Sequence, residues 1–337
     1  YIGKYDISTI GTAVTDSANG AYAISTGNHT VNGYIGVDKH ANPQANIAQA
    51  AKLAFNKGIG IVTTTNVYDA TPAVFCAHAL IRRFYGLIAL QQAMMNKAKA
   101  MVDILFGGGR QYFIPSSKPG GKRNDGFDIT KNYSQNGWSS YIETNSSLHN
   151  LSTSDLPSIG LFTLAAFPYY LDRKTNNDGT TPNIIDMVTK AIELLSEKYA
   201  DEGFLLMVES ARIDHCGHDN DIACLLNEMD EYAEVAEYIY DWARINGETM
   251  VINLADHETG GVTVGRSVNI KKEDVRKYYP SSGPPNFDIK NSVNEGILYN
   301  QLFLMPNDIR YNTSRLEIYN FFPEYINEAT HTAEWIY

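Results

Sequence analysis

The sequence predicts an α/β fold: a three-layer α/β/α sandwich around a central, mostly parallel sheet, with insertions on its surface. Three observations carry that expectation. Helix-periodic segments alternate with short apolar runs. Those runs are near-continuously apolar or β-branched, as strands covered on both faces must be. Acidic residues and histidines follow the runs directly, where open parallel sheets bind ligands.

Taken in order, VTDSANGAYAISTGNHT sets Asp16 and Ser17 ahead of the small residues Ala18, Gly20, Ala21 and Ala23, a composition suited to a closely packed helix. Residues 46–57 have helical periodicity, Gly58 and Gly60 break it, and GIVTTTNV reads as a strand. Residues 71–98 read as helical, with Pro72 placed for a first turn. MVDILFGGG is a buried strand ending in a glycine turn. Residues 182–199 form a helix leading into the strand GFLLMVES. Residues 221–245 form a long amphipathic helix, followed by Gly247 and a strand in MVINLADH. Residues 110–180, rich in Ser, Asn, Gly and Lys, and 262–330, rich in Tyr, Asn and Pro, read as insertions.

Of the 337 residues, 44% are hydrophobic and 19% charged, enough apolar content for a substantial core. A net charge of −11 argues against a nucleic-acid surface, because phosphate backbones attract Lys and Arg. It leaves room for a small phosphate ligand whose charge a bound metal would offset. No apolar run approaches the roughly 18 residues of a membrane span. YIGKYDISTI carries neither an initiator Met nor a signal-peptide pattern and reads as a mature or truncated start. Three cysteines allow at most one disulfide. Asn-x-Ser/Thr sequons begin at Asn28, Asn132, Asn145, Asn150 and Asn312, about what this composition produces, and carry little weight.

The chemistry gathers after the strands. GIVTTTNV is followed by Asp69 and Thr71; Glu209 ends the next strand, with Asp214, His215 and His218 beyond; Asp256 and His257 follow MVINLA. Asp214 and His218 are one helical turn apart, so they share a face, and carboxylate with imidazole suits zinc. Asp256 and His257 can converge only at a strand end. Either pair alone is also what a hydrogen-bonded surface pair looks like. Ser17 is a weak nucleophile unless a base or metal activates it, and a helix N-terminus favours an alkoxide or phosphate beside it. A plain N-cap role for Asp16 or Ser17 stays open. Arg82 and Arg83, at the far end of the 71–98 helix, can grip two phosphate oxygens or simply be solvated.

Together these stretches resemble the alkaline phosphatase family: VTDSANGAYAISTG with GYIGVD, GIVTTTNVYDATPAVFCAHALIRRFYG, DILFGGG, GFLLMVESARIDHCGHDND, MVINLADHETGG and HTAEW, in the family's order. The resemblance implies one catalytic domain over 1–337. It implies a phosphomonoesterase with two zinc ions and one magnesium ion. Ser17 would be the nucleophile that becomes phosphorylated, and Arg82 the phosphate clamp. Asp214, His218 and His331 would hold one zinc; Asp256 and His257 would hold the other, beside Ser17. Thr71 and Glu209 would bind magnesium, with Asp69 in support, Asp16 beside the nucleophile, and His215 tuning metal preference. It further implies small phosphomonoester substrates, a homodimer, and a periplasmic or secreted location.

The chain departs from the family pattern in three places. No Asp-Gly metal motif precedes Ser17; the last zinc ligand stands in His-Thr-Ala rather than His-Thr-Gly; and Tyr337 closely follows His331, so the family's first and last strands are expected to be missing. A phosphodiesterase or sulfatase of the same superfamily, or a non-catalytic phosphate- or metal-binding relative, are the competing readings. Cys216 reads as a spacer facing away from the metals, and His78 as a core histidine on the 71–98 helix.

Overall fold

A computed structural model describes residues 5–97, 101–176 and 179–260. In chain order it contains α1 (Ser17–Thr26), α2 (Ile47–Phe55), β1 (Gly58–Asn66), α3 (Ala70–Val74), α4 (Tyr85–Met94), β2 (Ile104–Gly108), β3 (Ser140–Ile142), α5 (Asn145–His149), β4 (Ser158–Leu161), α6 (Tyr170–Asn176), α7 (Ile184–Lys198), β5 (Phe204–Glu209), α8 (Arg212–His218) and α9 (Ile222–Asn246). The strands form one sheet in the order β3-β4-β2-β1-β5, and every pairing is parallel.

Alternation along the central strands builds two cores. Ile59 and Ile61 of β1, with Leu105 of β2, face α1, α2, α3 and α4. Val62, Ile104 and Phe106 face the other way, against α5, α7 and Val235 of α9. Each strand is therefore covered on both sides, the condition for its near-continuous apolar sequence. α7 shows the helical counterpart: Asn183 and Asp186 close a capping box, and Met187, Val188, Ala191, Leu194 and Leu195 form its buried stripe. Burying a side chain such as Ile61 fully is worth about 1.5–3 kcal/mol.

Three expectations need correction. Residues 71–98 are not one helix: α3 stops at Val74 and α4 starts at Tyr85. Between them Ala79 exchanges both backbone hydrogen bonds with Ile35, at 2.8 and 2.9 Å, and Arg82 N–H donates to Gly33 O at 2.7 Å. Those bonds take the backbone groups that a continuous helix would use, so Arg82 and His78 lie in the connection and not on a helix. Residues 110–180 are not solely an insertion, since they contribute β3 and β4 to the sheet. The run 250–257 is not a strand; Met250 and Ile252 are 81% and 66% exposed, and this run has no ladder partner among the described residues.

By its contacts the chain divides into two compact units. Residues through Arg212, together with Glu228–His257, make the first; Ile213–Asn227 belongs with the residues from Glu258 onward. No helix among the described residues is long and apolar enough to cross a membrane.

Candidate active site

The first unit gathers its chemistry at the C-terminal ends of β1 and β5. Asp16 is the N-cap of α1, in extended conformation, its Oδ1 accepting from Asn19 N–H at 3.1 Å. Ser17 is therefore the first helical residue, where backbone N–H groups lack intrahelical partners and favour negative charge. The segment before α1 is not a strand, yet Ser17 reaches the site, because α1 packs against α3 and the run after α9 brings His257 beside it. Ser17 Oγ lies 2.9 Å from His257 Nε2. His257 Nε2 is 3.5 Å from Asp256 Oδ2. Gly20 allows that approach: a Cβ there would stand 2.5 Å from Asp256 O.

Arg82 lies between two carboxylates. Its Nη1 donates to Asp16 Oδ2 at 3.2 Å and its Nη2 to Asp69 Oδ1 at 3.1 Å. Burial works against its charge, and Asp69 and Asp16 together overcome that cost and raise its pKa. Asp16 Oδ2 also accepts from Gly33 N–H at 2.9 Å, while Asp16 N–H donates to Asn32 Oδ1 at 3.1 Å. Asp69 caps α3 through Ala70 N–H at 2.8 Å and accepts from Thr65 Oγ1 at 3.2 Å. The one side chain of Asp16 thus caps α1 and holds Arg82.

Glu209 ends β5. Desolvation pushes its carboxyl up to about 8; Asp256 and Asp69 add to the rise, and the hydrogen bond from Thr63 Oγ1 at 2.6 Å opposes it. The Thr71 hydroxyl, buried beside it, also opposes the rise, although Oγ1 has no partner within strict hydrogen-bond geometry among the described residues. A desolvated carboxyl among further acids, with a hydroxyl beside it, fits a hard, oxygen-seeking cation such as magnesium. Asp256 and His257 fit zinc by their spacing, because ligands about 2 Å from a tetrahedral ion stand roughly 3.3 Å apart.

In the second unit α8 places Asp214 and His218 on one face, with Oδ1 and Nε2 3.5 Å apart. Thr259 Oγ1 donates to Asp214 Oδ1 at 2.5 Å. This pair has the same carboxylate–imidazole spacing as the first. His215 is half-buried between them on the helix. Cys216 is more than a spacer: it forms a disulfide with Cys224, which removes its thiolate from any ligand set. His331 lies outside the described residues. Sequence reasoning missed Thr63, Thr65, Asn32, Gly33 and Asn19, all of which hold a site residue in place; the polar triplet Thr63–Thr65 inside an apolar strand was the available signal. His78 has structural partners, with Nδ1 2.7 Å from Gly36 O and Nε2 3.3 Å from Gln49 Nε2.

A family model described as alkaline phosphatase matches residues 1–285. The chain belongs to the alkaline phosphatase family. It is 36% identical over 281 residues to the repressible alkaline phosphatase of Saccharomyces cerevisiae, covering 80% of this chain and 49% of that one. Among solved structures, alkaline phosphatase from the Antarctic bacterium TAB5 matches with a TM-score of 0.65 and 29% identity, over 79% of this chain and 72% of that one. A mutant of the same TAB5 enzyme with magnesium bound in its M3 site matches with a TM-score of 0.66 and 29% identity, over 80% and 71%. The chain spans about half the length of the curated family members it matches.

Proposed function

We propose that the protein hydrolyses phosphate monoesters through a phosphoserine on Ser17, releasing alcohol and inorganic phosphate. The observation that carries this reading is Ser17 Oγ, 2.9 Å from His257 at the start of α1, in the same unit as an arginine already aligned by Asp16 and Asp69. Family membership supports it, and so does the magnesium recorded in a related structure. Asp256 and His257 are the donors for a zinc ion; Asp214, His218 and His331 are those for another; Thr71 and Glu209 are those for magnesium, with Asp69 and His215 in support. Bound there, the cations would supply Lewis acidity, favouring a serine alkoxide and lowering the pKa of water.

This chain's own residues do the rest. Ser17 forms the bond to phosphorus as the ester oxygen leaves; water then breaks that bond and restores the hydroxyl. The α1 N-terminus favours the charge on both the attacking oxygen and the phosphoryl group. Arg82 offers two N–H groups to the non-bridging oxygens, and its flanking carboxylates keep it from turning away. The anionic chain takes small phosphomonoesters rather than nucleic-acid backbones. A homodimer in a periplasmic or secreted location completes the proposal.

The test is labelling with radioactive phosphate at low pH, beside zinc-dependent release of p-nitrophenol from its mono- and bis-phosphate esters. Wild-type protein should retain acid-stable label and prefer the monoester; Ser17→Ala should lose the label and at least about 10³-fold in kcat. Label retained by Ser17→Ala, or preference for the bis-ester, refutes the proposal.

A further inference from the structure

Thr63 is fully buried on the row of β1 side chains that includes Ile59 and Ile61. Its partner directly across the ladder is Glu209. Thr63 Oγ1 accepts from Thr65 N–H at 3.0 Å and lies 2.6 Å from Glu209 Oε2. A hydroxyl has one hydrogen, and Thr63 directs it to Glu209 Oε2 while a lone pair takes the Thr65 amide. The methyl group is fixed as well. Gly107 of β2 presents bare backbone to it, and a Cβ at Gly107 would fall 2.8 Å from Thr63 Cγ2. A β-branched side chain held at both its methyl and its oxygen has one rotamer left. The β1–β2 register shifts between Val62 and Asn66, the stretch in which Thr65 N–H turns to the Thr63 side chain.

We propose that Thr63 is a positioning residue for a divalent cation at Thr71 and Glu209: it engages Oε2, fixes the carboxylate plane, and leaves Oε1 as the oxygen offered to the cation. The inference rests on the proposed function for placing a cation there, and adds a residue outside the ligand set. Outer partners that orient a ligating carboxylate typically change metal affinity by about 10–100-fold when removed.

Magnesium chloride titrated calorimetrically into chelator-stripped, dialysed protein tests it. Thr63→Val keeps the methyl packing and loses the hydroxyl; its magnesium affinity should fall about 10–100-fold. Thr63→Ser keeps the hydroxyl and should stay within about threefold of wild type, since its oxygen bonds the same partners. Wild-type affinity in Thr63→Val, a Thr63→Ser protein as weak as Thr63→Val, or no magnesium uptake by wild type each overturns the role. Turnover of p-nitrophenyl phosphate, measured in parallel, separates the two proposals. Thr63-dependent magnesium uptake without turnover sinks the reaction and leaves the positioning role standing.

Discussion

A buried carboxylate, Asp103, and a half-buried one, Glu209, stand at opposite ends of β1, and the fold treats them differently. At the N-terminal end Asp103, 1% exposed, has its compensation built in. Lys52 Nζ lies 2.9 Å from Oδ2, Ile59 N–H donates to the same oxygen at 2.9 Å, and Tyr199 OH donates to Oδ1. At the C-terminal end Glu209 has the hydroxyls of Thr63 and Thr71, two further acids nearby, and a carboxyl pushed up to about 8 by desolvation. One end is neutralised by the chain itself; at the other no cation stands among the groups acting on Glu209 from the described residues. A desolvated acid without a counterion is costly, and the proposed cation at Thr71 and Glu209 would offset that cost.

The largest expected effect is on the finished end. Asp103→Ala leaves Lys52 buried without its partner and should cost about 3–5 kcal/mol in the urea midpoint, with KM for p-nitrophenyl phosphate unchanged. A shift under about 1 kcal/mol removes the structural half of the comparison. Next comes Arg82→Ala, at the other end. It takes away a bidentate phosphate contact and should raise KM and the phosphate inhibition constant about 10–100-fold. The Asp16 and Asp69 side chains it frees are 24% and 21% exposed, so water takes over much of their solvation and Tm should move by only a few degrees. Unchanged phosphate inhibition shows that the clamp is another residue.

The smallest effect sharpens the rule through a third acid. Glu228, on α9, has its pKa raised by burial and by Glu231, while Tyr170 N–H, Arg173 and Arg212 oppose the rise. From the ordinary carboxylate range up to that raised value the folded state keeps a proton that the unfolded chain has released. Its contribution to stability therefore falls as pH rises through that window and is level above it. Glu228→Gln keeps an acceptor for Tyr170 N–H, 2.5 Å away in the wild type, and removes the titration. Urea midpoints in chelator should favour the variant more at pH 8 than at pH 5; a constant or reversed difference refutes the assignment.

What the sequence made legible follows from what each segment needs. The helices before β1 and β5, and those strands themselves, are long and uniform enough for periodicity to show. β3 and β4, at three and four residues, are too short to carry a pattern and exist through pairing alone. The run 250–257 has the composition of a strand but no ladder partner among the described residues, and composition does not supply one. Arg82 was legible as a residue and misplaced as an element, because long-range bonds to Gly33 and Ile35, not local propensity, decide its backbone. Spacing exposed Asp214 with His218, and order along the chain exposed Asp256 with His257. The residues that hold the site side chains, Thr63 at Glu209 and Asn32 at Asp16, are an ordinary threonine and asparagine until the fold closes around them.

The Asp16 carboxylate carries one further consequence. The same side chain anchors the first turn that bears Ser17 and grips the guanidinium of Arg82. Ser17 and Arg82 are thus gauged against a single post, so a tilt of the helix start shifts the alignment of both together.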